Sequence, residues 1–136
     1  MALFYADASA LVKLVCEESE TAALGTFLAG ADIISSELVL TEVPRAVHRA
    51  ASEDPALPLD ALMAAADDVV QTLALLPVDR ALLLAAGALA EPMLRALDAI
   101  HIASAVTVLP IDAFVTYDDR QGAAARLAGL RTVGPG

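Results

Sequence analysis

Short apolar runs alternate with longer segments of helical periodicity along the whole chain. This alternation is typical of a parallel sheet whose strands are joined by crossover helices. The sequence therefore predicts an α/β fold with a central parallel sheet of four to five strands flanked by helices. The predicted strands lie at residues 2–6, 32–35, 72–78, 113–117 and 131–133.

The segments between these runs carry apolar residues at helical spacing together with start and stop signals. Ser36 and Asp79 are candidate N-terminal caps, and Gly30 is a candidate stop signal. Residues 52–58 contain two prolines and are predicted to form a loop. No repeat or low-complexity segment divides the chain, so we expect residues 1–136 to form one domain. The predicted helices cover residues 8–15, 19–28, 38–50, 59–70, 80–90, 97–108 and 120–128.

Length, cysteine content and charge exclude several classes of protein. A domain of 136 residues buries about two thirds of the surface that its unfolded chain exposes, so neither a disulfide nor a structural metal is required. The single cysteine, Cys16, excludes a disulfide framework and a four-thiolate zinc site. The formal net charge of -10 argues against nucleic-acid binding through a broad basic surface. Any contact with a nucleic acid must therefore be local or metal-mediated.

The hydrophobic content of 58% raises the question of a membrane span. A spanning helix needs about twenty consecutive apolar residues, whereas the longest apolar run, residues 81–90, is bounded by Arg80 and Glu91. No signal peptide is recognisable, because no basic segment precedes the first apolar residues and Asp7 follows them at once. We therefore expect a cytoplasmic protein without a membrane span, part of whose apolar surface is covered by a partner.

Two aspartates lie where a predicted strand gives way to a helix. Asp7 follows the apolar residues of the first strand, and Asp118 follows those of the fourth. In an open parallel sheet, ligands bind outside the carboxyl ends of the strands, so both positions are candidate site residues. Each aspartate taken alone could instead be a helix cap or a turn residue.

Two further acids, Glu42 and Asp98, interrupt segments that are otherwise apolar. A helix packed on the sheet would carry Glu42 partly inward, and a buried carboxylate is costly unless it is paired or bound to a metal. Glu42 could alternatively form a salt bridge with Arg45 or Arg49 on its own helix. Asp98 could alternatively be an acid at a helix N-terminus that interacts with the helix dipole.

Four carboxylates in one cleft would repel one another, and a hard divalent cation with oxygen ligands would relieve that repulsion. Magnesium or manganese suits such a set of ligands. Zinc does not, because His48 and His101 are distant in sequence and no thiolate accompanies either of them. We expect His101 to pack or hydrogen-bond at the edge of the site, and His48 to lie on the outer surface of its helix.

Other folds that gather acids above a parallel sheet agree less well with these residues. A receiver domain has adjacent acids after its first strand and a lysine late in the chain, whereas the only lysine is Lys13. A nucleotide-binding domain has a glycine-rich phosphate loop, and no such loop is present. The remaining alternative is a binding module that keeps the fold without catalysis.

Four segments together resemble the acidic blocks of the PIN domain, and in particular those of the VapC ribonuclease toxins of bacterial toxin–antitoxin pairs. The resemblance covers nearly the whole chain, with YADASALVKL at 5–14, SELVLTEVPRAVHR at 36–49, LDAIHIASA at 97–105 and FVTYDDR at 114–120. The metal ligands that it implies are Asp7, Glu42, Asp98 and Asp118, and the supporting hydroxyl residues are Ser9 and Thr116. Asp119 is the neighbour of Asp118, and the family pattern favours Asp118 as the ligand.

The resemblance also implies an activity and partners. The activity is hydrolysis of RNA phosphodiester bonds by a magnesium-dependent endoribonuclease, with manganese as an alternative ion. The partners are the RNA substrate, a cognate antitoxin and a second copy of the chain in a homodimer, which forms a higher assembly with the antitoxin. We expect an antitoxin arginine to reach Glu42 or Asp98 from a groove along residues 8–28 and 36–51. The candidate cations for contacts with RNA phosphates are Lys13, Arg45, Arg49, Arg95 and Arg120.

Overall fold

The computed structural model describes residues 1–136 and contains one sheet of five strands, all paired in parallel. The strands are β1 (Leu3–Ala6), β2 (Asp32–Ser36), β3 (Ala74–Leu76), β4 (Ala113–Val115) and β5 (Thr132–Val133). Their order across the sheet is β3-β2-β1-β4-β5. The predicted α/β class and parallel sheet are confirmed.

Seven helices connect and flank these strands. They are α1 (Ala8–Val15), α2 (Thr21–Leu28), α3 (Val39–Glu53), α4 (Leu59–Gln71), α5 (Arg80–Gly87), α6 (Ala96–Thr107) and α7 (Asp119–Leu127). Every predicted helix is present, and most of the boundaries lie within two residues of their predicted positions. The larger differences are at the C-terminal ends of α3, which is longer than predicted, and of α5, which is shorter.

Local backbone chemistry explains where the structure departs from the predicted boundaries. Helix α5 ends at Gly87, a residue type that weakens helices because its backbone loses the most entropy on ordering. The third strand is shorter than predicted because Thr72 still belongs to the C-terminal cap of α4. Ser36 does not cap α3: it ends β2, and its hydroxyl accepts a hydrogen bond from the N–H of Leu38 in the intervening turn. Asp79 caps α5 as predicted.

Successive side chains of β1 pack into two cores, one on each face of the sheet. Phe4 and Ala6 pack into a core formed with α1, α3 and α4, whereas Tyr5 packs on the opposite face against α6 and α7. Parallel strands with helices on both faces need apolar side chains in both directions. This is why the strands are continuous apolar runs in the sequence.

The strand order reverses beside β1, and this reversal positions the site. β1 pairs with β2 on one side and with β4 on the other. The chain adds β2 and β3 on the first side and then returns to place β4 and β5 on the second. The N–H of Asp7 donates to the carbonyl of Val115 at 3.2 Å, which joins the carboxyl ends of β1 and β4. The N-termini of α1 and α7 follow these strand ends, at the edge where open parallel sheets bind ligands.

The helices are also short relative to a lipid bilayer. The longest, α3, has 15 residues, whereas a span needs about twenty. None of the helices has both the length and the apolar character needed to cross a membrane.

Candidate metal centre

Asp7 lies at the carboxyl end of β1 and caps α1. Its Oδ1 accepts hydrogen bonds from the hydroxyl of Ser9 at 2.6 Å and from the N–H of Ala10 at 3.1 Å. Its Oδ2 accepts a hydrogen bond from the hydroxyl of Thr116 at 2.5 Å. Only 3% of Asp7 is exposed, and this burial raises the pKa of its carboxyl although both hydroxyl donors act to lower it. The fold thus fixes a buried carboxyl group at the point where the strand order reverses.

Ser9 and Thr116 connect the segment that contains Asp7 to the segment that contains Asp118. Their hydroxyl oxygens lie 3.3 Å apart, and that of Thr116 accepts a hydrogen bond from the N–H of Asp118 at 3.1 Å. The hydroxyl of Ser9 accepts a hydrogen bond from the N–H of Tyr117 at 2.9 Å. These contacts tie the loop after β4 to the first turn of α1, so the positions of Asp7 and Asp118 are coupled.

Asp118 and Asp98 interact electrostatically. Asp118 caps α7, because its Oδ1 accepts a hydrogen bond from the N–H of Gln121 at 3.0 Å. Asp98 lies in the first turn of α6, and its carboxylate is 3.7 Å from Nε of the exposed Arg95. Burial raises the pKa of Asp98, and the negative charges of Asp118 and Glu42 raise it further. The carboxyl groups of Glu42 and Asp118 are therefore close enough to Asp98 to influence its protonation.

Glu42 forms a hydrogen bond with a buried histidine and no ion pair with an arginine of its own helix. Nε2 of His101 lies 2.6 Å from Oε1 of Glu42, and Nδ1 of the same ring lies 2.8 Å from the hydroxyl oxygen of Tyr5. His101 is 1% exposed, and burial raises the pKa of the neighbouring Tyr5 hydroxyl, which therefore keeps its proton. His101 thus packs in the interior and forms a hydrogen bond with one of the candidate acids. The alternative salt bridge from Glu42 to Arg45 or Arg49 is wrong, since neither arginine forms an ion pair.

Acidic and basic side chains line one cleft of about 610 Å³. Glu18, Glu42 and Asp118 contribute carboxylates, whereas Asp7 and Asp98 do not line the cleft. Three of the eight basic residues of the chain also border it. Lys13 is paired with two glutamates. Arg45 and Arg49, one helical turn apart on α3, form no ion pair. The cleft thus combines an acidic group with two cations that are available for an anionic ligand.

Arg120, Asp119 and His48 lie outside this cleft. Arg120, a candidate contact for RNA phosphates, borders a separate hollow beside the loop before α6 and does not line the cleft. Consecutive helical residues point about 100° apart, and closeness in sequence to Asp118 does not bring Arg120 to the same side. Asp119 is exposed and does not line the cleft, whereas Asp118 does. His48 is exposed on α3, as predicted.

The donor chemistry of the site fits a hard divalent cation. Asp7, Glu42, Asp98 and Asp118 offer carboxylate oxygens, which Mg²⁺ and Mn²⁺ prefer. No group of three His, Cys, Asp or Glu side chains is close enough to hold an ion in the present arrangement. Each carboxyl group instead has a hydroxyl, backbone N–H, imidazole or guanidinium partner. Burial raises the pKa of Asp98, and the negative charges of Asp118 and Glu42 raise it further; a bound cation would relieve that repulsion.

The buried carboxyl group of Asp7 leads to a prediction about pH. Because its pKa is raised in the folded protein, its contribution to stability is complete at low pH and is lost as the pH rises through that raised pKa. Asp7→Asn removes this titration. In thermal unfolding with a chelator from acidic to neutral pH, we expect the melting temperature of the variant to fall less steeply than that of the unmodified chain. Parallel curves would contradict this assignment.

Comparison with known proteins agrees with this geometry. The PIN domain family model matches residues 4–127. Ribonuclease VapC35 of Mycobacterium tuberculosis strain H37Rv is 37% identical over 141 residues, covering 98% of each chain. Ribonuclease VapC46 of the same strain is 36% identical over 137 residues, covering 99% of each chain.

Solved structures share the fold at much lower sequence identity. PAE2754 from Pyrobaculum aerophilum superposes with a TM-score of 0.67 at 19% identity, covering 97% of this chain and 84% of that one. VapBC2 from Rickettsia felis, solved with a DNA fragment from its promoter, superposes with a TM-score of 0.70 at 13% identity, covering 98% and 99%. The family match, the full-length relatives and the shared fold agree with the arrangement of acids at the sheet edge, and the chain therefore belongs to the PIN-domain family and, within it, to the VapC proteins.

Proposed function

We propose that residues 1–136 act as one PIN domain and form an endoribonuclease toxin that hydrolyses RNA phosphodiester bonds under the control of a cognate antitoxin. The observation that carries this proposal is the electrostatic interaction of Asp98 with Asp118 and Glu42 beside the point where the strand order reverses. Glu42 and Asp118 border a cleft that also contains two arginines without an ion pair. The names of the full-length relatives, which are ribonucleases, support the reaction class. Because RNA is the proposed substrate, the proposed site of action is the cytoplasm.

Four acids are the proposed metal ligands, and two hydroxyl residues support them. Asp7, Glu42, Asp98 and Asp118 would hold Mg²⁺, with Mn²⁺ as an alternative, while Ser9 and Thr116 orient Asp7. When bound, the ion supplies Lewis acidity that activates water and stabilises negative charge on the phosphate. The protein contributes the fixed orientation of the Asp7 carboxyl group. The hydroxyls of Ser9 and Thr116 each hold one of its oxygens before any ligand binds.

Arg45 and Arg49 are the proposed contacts for the RNA backbone. They border the same cleft as Glu42 and have no acidic partner, so their guanidinium groups can bind phosphate without first breaking an ion pair. Such local contacts are compatible with a chain of net charge -10. Lys13 is less available, because two glutamates already bind its ammonium group.

We expect the double variant Arg45→Ala/Arg49→Ala to bind RNA about tenfold more weakly in chelator, where cleavage is blocked. With each single-strand phosphate contact contributing about 0.7 to the salt dependence, loss of two contacts should reduce the slope of log K against log salt by about 1.4. Arg80→Ala is the matched control, since Arg80 is exposed and does not line the cleft. Equal RNA affinity and salt slope in both variants would remove the arginines from the RNA interface.

The proposed antitoxin is a protein with an amphipathic segment that packs on α1, α2 and α3 and carries a basic side chain. That side chain would pair with Glu42 or Asp98 and exclude both metal and RNA from the cleft. The fold shared with VapBC2, which was solved bound to a DNA fragment from its promoter, supports such a partner. Co-expression with the product of the adjacent reading frame tests the idea. We expect the two proteins to co-purify and alanine replacement of the partner's C-terminal basic residues to restore RNA cleavage.

A homodimer is part of the same proposal. Several large apolar side chains are exposed, which favours coverage by another chain. Those on α5, α6 and the intervening loop are Leu83, Leu84, Met93, Leu97 and Val106. Light scattering of the purified chain should give twice the monomer mass.

The experiment that tests the proposed activity is cleavage of end-labelled RNA by the purified chain, with and without added Mg²⁺ or Mn²⁺. Internal cuts that require the ion would support an endonuclease. RNA binding without cleavage under every ionic condition would favour the alternative, a non-catalytic PIN-like binding module.

A further inference from the structure

Glu42 differs from the other three acids in how it is held. Asp7 and Asp118 each accept a hydrogen bond from a backbone N–H of the helix that they cap, and Asp98 has a short side chain in the first turn of α6. Glu42 has a longer side chain, 19% of which is exposed, and its hydrogen-bond partner is the imidazole of His101. The direction of the Glu42 carboxylate therefore depends on a residue of another helix.

On the side of the ring opposite Glu42, the imidazole of His101 contacts Tyr5 of the central strand β1. The hydroxyl of Tyr5 lies 2.8 Å from its Nδ1. The Tyr5 ring stacks on that of Phe114, with centroids 5.2 Å apart and planes inclined by 7°. Tyr5 and Phe114 are paired across β1 and β4, the two strands that meet at the site. A continuous set of contacts thus runs from the centre of the sheet through His101 to Glu42.

For a neutral imidazole beside a carboxylate, donor chemistry gives the directions of the hydrogen bonds along this set. An ionised Glu42 carboxylate can only accept, so Nε2 of His101 donates to it. Nδ1 of a neutral imidazole then accepts, and the hydroxyl of Tyr5 donates to it. Tyr5 thereby selects the tautomer of His101 that holds Glu42, and Oε2 of Glu42 is left for another partner.

We propose that His101 and Tyr5 are positioning residues, which hold Glu42 in the orientation from which its second carboxylate oxygen binds the metal. The inference rests on the proposed function, because it concerns one of the proposed ligands. Partners behind a metal ligand typically change metal affinity by about 10- to 100-fold. An effect of that size is measurable on the protein alone, without RNA.

The first test compares Mn²⁺ binding by electron paramagnetic resonance in two variants that each lose one hydroxyl group. Tyr5→Phe keeps the stacked ring and removes only the hydroxyl, and we expect Mn²⁺ to bind about tenfold more weakly. Thr72→Val is the control, because the Thr72 hydroxyl donates to the carbonyl of Val69 at the end of α4, and this exposed residue does not line the cleft. It should leave the Mn²⁺ affinity unchanged. Unaltered affinity in Tyr5→Phe would overturn the inference.

The second test asks whether His101 acts through a donated hydrogen bond. His101→Gln retains an N–H donor at that position, whereas His101→Leu does not. We expect Mn²⁺ binding to weaken in both variants, and less in His101→Gln. Unfolding measured in chelator identifies any His101 variant that does not fold. In that case the Mn²⁺ affinity of Tyr5→Phe decides whether the inference holds. Equal loss in two folded His101 variants would overturn the positioning role.

A double-mutant cycle establishes whether the effect passes through Glu42. In the Glu42→Gln background, we expect Tyr5→Phe to have little further effect on Mn²⁺ binding. The same loss in both backgrounds would overturn the inference, because Tyr5 would then act by another route. Absence of Mn²⁺ binding by the unmodified chain would overturn the metal-dependent function and the inference together. Binding by that chain with unchanged variants would overturn the inference alone.

Discussion

Asp7→Asn is expected to lower the rate of RNA cleavage by about a thousandfold or more while leaving the protein folded. The rate effect follows because a metal contributes several kcal/mol of charge stabilisation, and each 1.36 kcal/mol of barrier is a factor of ten. An asparagine offers the ion a neutral oxygen in place of a carboxylate. Asp98→Asn should have a similar effect, since Asp98 shares the electrostatic environment of the other acids.

The fold should tolerate the change because an asparagine can keep the local hydrogen bonds. Its Oδ1 can accept from Ser9 and Ala10, and its Nδ2 can donate to the hydroxyl of Thr116. Burial disfavours the charged form of Asp7, so without metal the variant should melt at or above the temperature of the unmodified chain. Circular dichroism and thermal unfolding in chelator measure this directly.

Asp119→Asn provides the matched control for the assignment of the site. Asp119 is exposed and lies outside the cleft, next to Asp118, which lines it. We expect Asp119→Asn to retain cleavage and Asp118→Asn to lose it. A fully active Asp7→Asn or Asp98→Asn variant would remove that residue from the site, and an unfolded variant would indicate a structural carboxyl group instead.

The sheet and the positions of the acids were accessible from sequence because both depend on local patterns. Strand ends follow from apolar runs, and an acid directly after such a run must lie at the carboxyl edge of a parallel sheet. Asp7 and Asp118 were predictable in this way. Their capping of α1 and α7, the alternative reading of each aspartate, is also present in the structure. The two roles are compatible, since each cap uses one carboxylate oxygen.

The partner of Glu42 was not predictable, because it is 59 residues away in sequence. Helical spacing favoured Arg45 or Arg49, yet a pattern along one helix carries no information about the helix packed beside it. Tyr5 was recognised only as part of a buried strand. A signal is available in the sequence, since alternation along an extended segment predicts that residues two apart, such as Tyr5 and Asp7, point to the same side. Only the packing of α6 on that face brings His101 between Tyr5 and Glu42.

Removal of divalent metal is expected to abolish RNA cleavage, and Mg²⁺ or Mn²⁺ should restore it where zinc at the same concentration does not. All four proposed ligands are carboxylates, which suit hard cations, and no cysteine or histidine cluster offers a zinc site. Cleavage after exhaustive chelation, titrated back with each ion, measures the effect. RNA cleavage that persists in chelator would falsify a metal-dependent mechanism.

The same ions should stabilise the fold, which separates metal binding from catalysis. An ion that binds only the folded state at a hundred times its dissociation constant adds about 2.7 kcal/mol to the free energy of unfolding. We expect Mn²⁺ to raise the melting temperature of the unmodified chain and to have a much smaller effect on Asp7→Asn, which lacks one charged ligand. Because the carboxyl groups have hydrogen-bond or ion-pair partners within the protein, part of the binding energy must replace those contacts. Equal stabilisation of both proteins would mean that Mn²⁺ binds elsewhere on a chain with 18 acidic residues, and the metal dependence of cleavage would then need a different site.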